Sequence, residues 1–129
     1  MALISLWPLG ADAKRRSAES GLPAIEFRST RHDFGNVKEA DGMLEQSFVF
    51  VNTGTAPLTI VTVSASCGCT KPEFSPRPVA PGDSSSITIR FNPEGFAGEF
   101  EKRATVRTNV KGSAGRATLV ISGTIIPKK

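Results

Sequence analysis

Hydrophobic positions recur with a period of two along most of the chain, and the clearest case lies between Ser86 and Phe91. There Ile87, Ile89 and Phe91 alternate with Ser86, Thr88 and Arg90, the pattern of a strand with one face buried. Arg116 to Ile126 sets Ala117, Leu119, Ile121 and Gly123 on one side in the same way. Phe100 to Asn109 opposes Ala104 and Val106 to a charged face, with Lys102 out of place on the apolar side. Met43 to Asn52 is apolar on both faces, Phe48 and Phe50 against Val49 and Val51, which predicts a central strand. Leu58 to Ser64 is a Val/Ile/Thr strand, and Ala24 to Arg28 a shorter one. Phe34-Gly35 and Val37 precede a turn at Asp41-Gly42.

The breaks between these segments carry turn chemistry. "NTGTAP", "NPEGFAG" and "KGSAG" separate strands, and Pro81-Gly82 is a type II turn signal. Lys71 to Pro81 holds four of the nine prolines, so it reads as an edge segment or a loop between sheets, since proline cannot donate to a ladder. No stretch from Pro23 onward has helical periodicity. About seven short strands separated by Gly/Pro turns predict an all-β fold: an immunoglobulin-like β-sandwich in two antiparallel sheets, spanning residues 23–127.

Composition adds compartment and partner class. At 129 residues the chain holds one domain with a real core. Residues 1–13, "MALISLWPLGADA", combine an apolar stretch too short to span a bilayer with an A-x-A pattern suited to signal peptidase. They read as a truncated signal peptide, short of its positive n-region, with residues 14–22 as a polar linker. The expected location is periplasmic or secreted, with no transmembrane span. The net charge is +4, yet the sixteen Lys and Arg are spread along the sequence and the single basic run is Lys14-Arg15-Arg16. With no Tyr, and Trp7 outside the domain, stacking platforms for nucleic acid are missing, so a nucleic-acid partner is not expected.

The chemistry-bearing candidates are few. A lone His32 in a polar stretch lacks the partners of a hydrolytic triad, and Glu39 with Asp41, or Glu94, Glu99 and Glu101, read as solvent-facing positions. The two cysteines, Cys67 and Cys69, flank Gly68 and precede Thr70. Positions two apart on an extended strand are about 6.6 Å apart, so a bridge needs the backbone to buckle, which Gly68 permits. Three readings stand side by side: a local disulfide, a thiolate pair for copper(I) with Met43 as a further ligand, and packed thiols with Gly68 and Thr70 shaping the turn. A complete intramolecular zinc site cannot be built from these residues and His32.

Several blocks in order carry a family resemblance: Phe34-Gly35-Asn36-Val37, "FVFVNTGTAPLTI", "CGCT", "PVAPGDSSSITIRFNPEGFAGEF" and "LVISGTI". From about Ile25 to Ile126 the chain resembles the bacterial domain of unknown function 1573 family. That resemblance implies an immunoglobulin-like fold, similar to major-sperm-protein and pilus-chaperone sandwiches, and export. It implies no activity. The sequence thus points to an exported, non-enzymatic binding or assembly module of the cell envelope with a protein partner and no cofactor. The alternative is a copper(I)-binding or thiol-redox protein using Cys67 and Cys69. The turn positions expected to shape its surface are Gly68, Thr70, Pro81 and Gly82.

Overall fold

The alternating segments pair into two sheets packed face to face, in a computed structural model that describes residues 21–128. In chain order the strands are β1 (Ile25–Phe27), β2 (Arg31–Lys38), β3 (Leu44–Asn52), β4 (Ile60–Ala65), β5 (Thr70–Phe74), β6 (Ser84–Phe91), β7 (Gly98–Thr108) and β8 (Arg116–Ile126). The first sheet has the order β1-β3-β6-β5 and the second β2-β8-β7-β4. Two short 3-10 turns, Glu39–Asp41 and Gly112–Gly115, complete the regular structure. Among the described residues no helix is long and apolar enough to cross a membrane. The expected signal peptide, and most of the expected linker, lie outside the described residues.

The fold is the immunoglobulin-like sandwich that the periodicity predicts, with two features that it does not. The leading segment divides at Arg28–Thr30: β1 joins β3 in the first sheet, and β2 crosses to lie parallel to β8 in the second. Among the described residues this is the one parallel pairing beside otherwise antiparallel ones. The second feature is an eighth strand, β5, drawn from the proline-rich segment. The Asn92 N–H donates to the Cys69 carbonyl at 3.0 Å, and by antiparallel alternation Lys71 and Glu73 bond toward β6 in turn. Pro72 therefore faces the open side, where its missing N–H costs the ladder nothing.

Ile87, Ile89 and Phe91 point inward from β6 and meet Ala104, Val106, Leu119 and Ile121 from the second sheet, all of them buried. Phe91 and Phe100 stack across the gap with ring centroids 4.8 Å apart. β3 lies between β1 and β6, as its two apolar faces require. The misplaced Lys102 is resolved by the same aromatic group. Its stem lies half-buried, and its ammonium sits 4.8 Å from the Phe96 centroid and 5.9 Å from that of Phe91. A cation over a ring face is favourable and keeps the stem in apolar contact.

Asn52, at the end of β3, is fully buried and organises one end of the sandwich. Its Nδ2 donates to the carbonyls of Ala56 and Val79, both at 2.8 Å, and its Oδ1 accepts from the N–H of Gly54 at 2.9 Å. Those bonds fix the route from β3 to β4 and tie it to the loop that leaves β5.

Candidate functional site

Cys67-Gly68-Cys69-Thr70 forms a tight turn between β4 and β5, closed by the Thr70 N–H on the Cys67 carbonyl at 3.2 Å. The turn draws the cysteine Cα atoms to 5.4 Å, and the two sulfurs are joined as a disulfide. Gly68 keeps a negative φ and has open space where a Cβ would stand. The buckle therefore comes from the turn as a whole and not from a glycine-only conformation. Thr70 is buried, with its hydroxyl 3.8 Å from each sulfur. The Cys69 side packs on the core, while Cys69, Met43, Lys71 and Phe96 line a depression of about 300 Å³.

Pro81 and Gly82 lie at the opposite end, ahead of β6. The Asp83 N–H closes their turn on the Ala80 carbonyl at 2.9 Å, and Gly82 takes the φ of +86° that a type II turn needs at this position. This pair shapes a hairpin end and is remote from the cysteines in the fold. As long as Cys67 and Cys69 are bridged, neither offers a thiolate to a metal. Among the described residues no group of three or more His, Cys, Asp or Glu side chains is placed to hold an ion.

Of the remaining polar candidates, His32, Glu39 and Glu101 make defined contacts, whereas Asp41, Glu94 and Glu99 are exposed. His32 stands edge-on to Phe34 with centroids 4.6 Å apart. The Glu39 carboxylate accepts the backbone N–H of Lys128 at 3.0 Å and of Gly95 at 2.8 Å, and these bonds hold its pKa below the usual carboxylate value. Glu101 is held low too, first by its hydrogen bond from Arg103 and then by Arg31.

The sheet edges differ sharply from one another. β1 is only three residues long and carries Glu26. β2 bears Arg31, Asp33 and Lys38 and is interrupted by an irregularity between Asp33 and Asn36. β5 is flanked by the charges of Lys71 and Glu73, and Pro72 removes a donor from its open side. Charges, prolines, irregularities and short length are the standard protections of an edge. β4, Ile-Val-Thr-Val-Ser-Ala, has no charge and no proline, and its one irregularity lies at the start, between Ile60 and Thr62. The Ser66 N–H donates to the Arg103 carbonyl at 3.0 Å, so Ser64 and Thr62 bond toward β7 by alternation. Val63 and Ala65 therefore direct their N–H and C=O groups outward, along an edge that no described strand covers.

One further feature is invisible in a linear reading of charge. No acidic residue follows Glu101, and the fold gathers part of the basic remainder at one end of the second sheet. Arg107 lies directly opposite Arg116 across β7 and β8, with Lys111 on the loop between them. Like charges in facing positions are destabilising. Neither arginine has an ion-pair partner among the described residues. Together they flank a depression of about 450 Å³. Thr62 of β4 is the next residue in the Arg107–Arg116 row.

This architecture is an immunoglobulin-like β-sandwich whose leading segment gives β1 to one sheet and β2 to the other. The chain belongs to the family described as protein of unknown function (DUF1573), whose model matches residues 25–125. No curated protein matches it. Among solved structures it is similar to a protein of unknown function from Porphyromonas gingivalis W83, with a TM-score of 0.66, 19% identity and 79% of this chain covered. The chain spans 46% of that protein's length. It is also similar to the ASH/PapD-like domain 7 of human CEP192, with a TM-score of 0.65 and 12% identity over 84% of this chain and 89% of that one. The periplasmic chaperone SfaE gives a TM-score of 0.51 at 9% identity, over 82% of this chain and 59% of that one. At such identities the likeness is one of fold.

Proposed function

We propose that this chain is an exported, non-enzymatic binding module of the bacterial cell envelope that captures an extended segment of a protein partner along β4. The observation that carries this reading is the unguarded β4 edge in a molecule whose other edges are protected. An added strand satisfies the outward N–H and C=O groups of Val63 and Ala65, the general logic of β-augmentation. The joined cysteines support an oxidising compartment, where disulfides persist. The apolar A-x-A leader supports export, and the fold shared with a periplasmic chaperone supports a protein partner.

The test uses substitutions that separate the edge from the tip. Val63→Pro removes an outward donor and spares the β4–β7 ladder. It should abolish retention of the envelope partner, identified by cross-linking to the wild-type chain. The double variant Cys67→Ser/Cys69→Ser should retain it. Retention by a folded Val63→Pro chain would sink the edge reading.

A second reading is favoured by the bridge itself, at a half-exposed tip: thiol–disulfide exchange, or copper(I) binding once reduced. A client dithiol would give up two electrons and two protons, leaving as a disulfide while Cys67 and Cys69 become thiols. Copper(I) would then find Cys67 and Cys69 with Met43 close by. Intact mass measured with and without reductant, and with copper(I) added anaerobically, tests it. One copper bound per reduced chain, lost in the serine variants, would bring copper handling to the fore. Failure to bind after full reduction would remove it.

A further inference from the structure

We infer that the segment captured at β4 is acidic on its outward face and apolar on its inward face, and that Arg107, backed by Arg116, reads its charge. This rests on capture at β4 and adds the chemistry of the partner. A strand laid beside β4 alternates its side chains as β4 does. Its inward residues continue the row of Val63 and Ala65, which are half-buried at the rim of the core. Polar side chains there would lose water without gaining a partner, so these positions select apolar residues.

The outward residues continue the row of Thr62 and Ser64, both exposed. The added strand would lie about 10 Å from β7, two strand spacings away. Thr62 between them is short, so the Arg107 guanidinium can lie across it and meet a carboxylate reaching back from the new strand. Arg116 stands behind Arg107 in the same row and Lys111 on the adjoining loop, all without an acidic neighbour following them in sequence. The facing arginines, unfavourable in the free chain, gain a counter-charge on capture. A lysine at that position would meet them as a third like charge.

The probe is a synthetic peptide of alternating valine and glutamate, capped at both ends, titrated into the full chain at low salt by calorimetry. Amide exchange at Val63 and Ala65 reports the location. Three counterparts accompany it: glutamine for glutamate, lysine for glutamate, and the glutamate peptide with alternate amides N-methylated. The glutamate peptide should bind about fivefold more tightly than the glutamine one, as expected for one or two exposed ion pairs, and more tightly still than the lysine one. The gap should close at high salt, and Arg107→Glu should invert the order. The N-methylated peptide should not bind.

Equal binding of the glutamate and lysine peptides, with N-methylation still blocking the glutamate one, overturns the charge inference and leaves strand capture standing. Undiminished binding of the N-methylated peptide overturns capture itself, because charge alone would then suffice. Absence of binding by every peptide at millimolar concentration overturns both. A dimer of this chain through β4 that excess glutamate peptide fails to dissociate assigns the edge to a second copy and overturns the inference too.

Discussion

At the scale of single residues, Asn52 holds one end of the sandwich together although no periodicity highlights it. It is a polar group in a fully buried place, tolerated because four backbone partners surround its amide. Asn52→Ala would strip its bonds from the carbonyl of Ala56 and the N–H of Gly54, and leave the Val79 carbonyl with only the bond from the Leu58 N–H. The expected loss is about 3 kcal/mol of unfolding free energy, read as a lower urea midpoint at unchanged slope. In sequence the residue opens "NTGTAP" and looks like any turn asparagine. Its burial depends on Val79, brought in from well beyond β4, which no local pattern reveals. Lys102 teaches the converse lesson. The alternation flagged it as an anomaly, and only Phe91 and Phe96, from another strand and its turn, explain it.

At the scale of elements, β5 and β4 are neighbouring edges of opposite sheets treated in opposite ways. Pro72 turns its missing donor outward and so blunts β5. Pro72→Thr should leave the ladder to β6 in place, restore an outward N–H and promote edge-to-edge pairing. Sedimentation velocity over a concentration series would show it as added dimer; a monomer indistinguishable from wild type would mean that Lys71 and Glu73 alone guard the edge. Most strands were legible because half-buried sheets write their burial as alternation, as in Ser86–Phe91 and Arg116–Ile126. β5 was legible only as an edge segment or a loop; the edge alternative holds, and what decides it is the side that Pro72 faces. The parallel contact of β2 with β8 was hidden, because sequence does not say to which sheet a short segment will go. The candidate site was legible only in part. Cys67 and Cys69 stand out at once, whereas the Arg107–Arg116 pair exists only through strand register.

For the molecule as a whole, acid is the informative perturbation. Glu39 links the turn after β2 to the turn after β6 and to Lys128, and its pKa in the folded chain is lowered, chiefly by the Lys128 N–H and then by that of Gly95. A lowered folded value means stability that is present above the carboxylate's ordinary pKa and lost as pH falls through the folded one. Relative to Glu39→Gln, the wild type should therefore melt higher at neutral pH, with the two converging on acidification. Parallel curves from neutral to acid pH would show that the carboxylate's charge is not what these bonds require.

The crossing of the leading segment from one sheet to the other also sets how the domain answers to mechanical load. Because β2 and β8 run parallel, pulling the two ends of the domain apart draws these strands past one another. Their hydrogen bonds are then strained together and do not open one at a time, as they would in a peeling hairpin. β1 pairs over only three residues, so the longer β2–β8 contact is the one set to resist such a load. The β4 edge, at the far side of the same sheet, lies off that line of force.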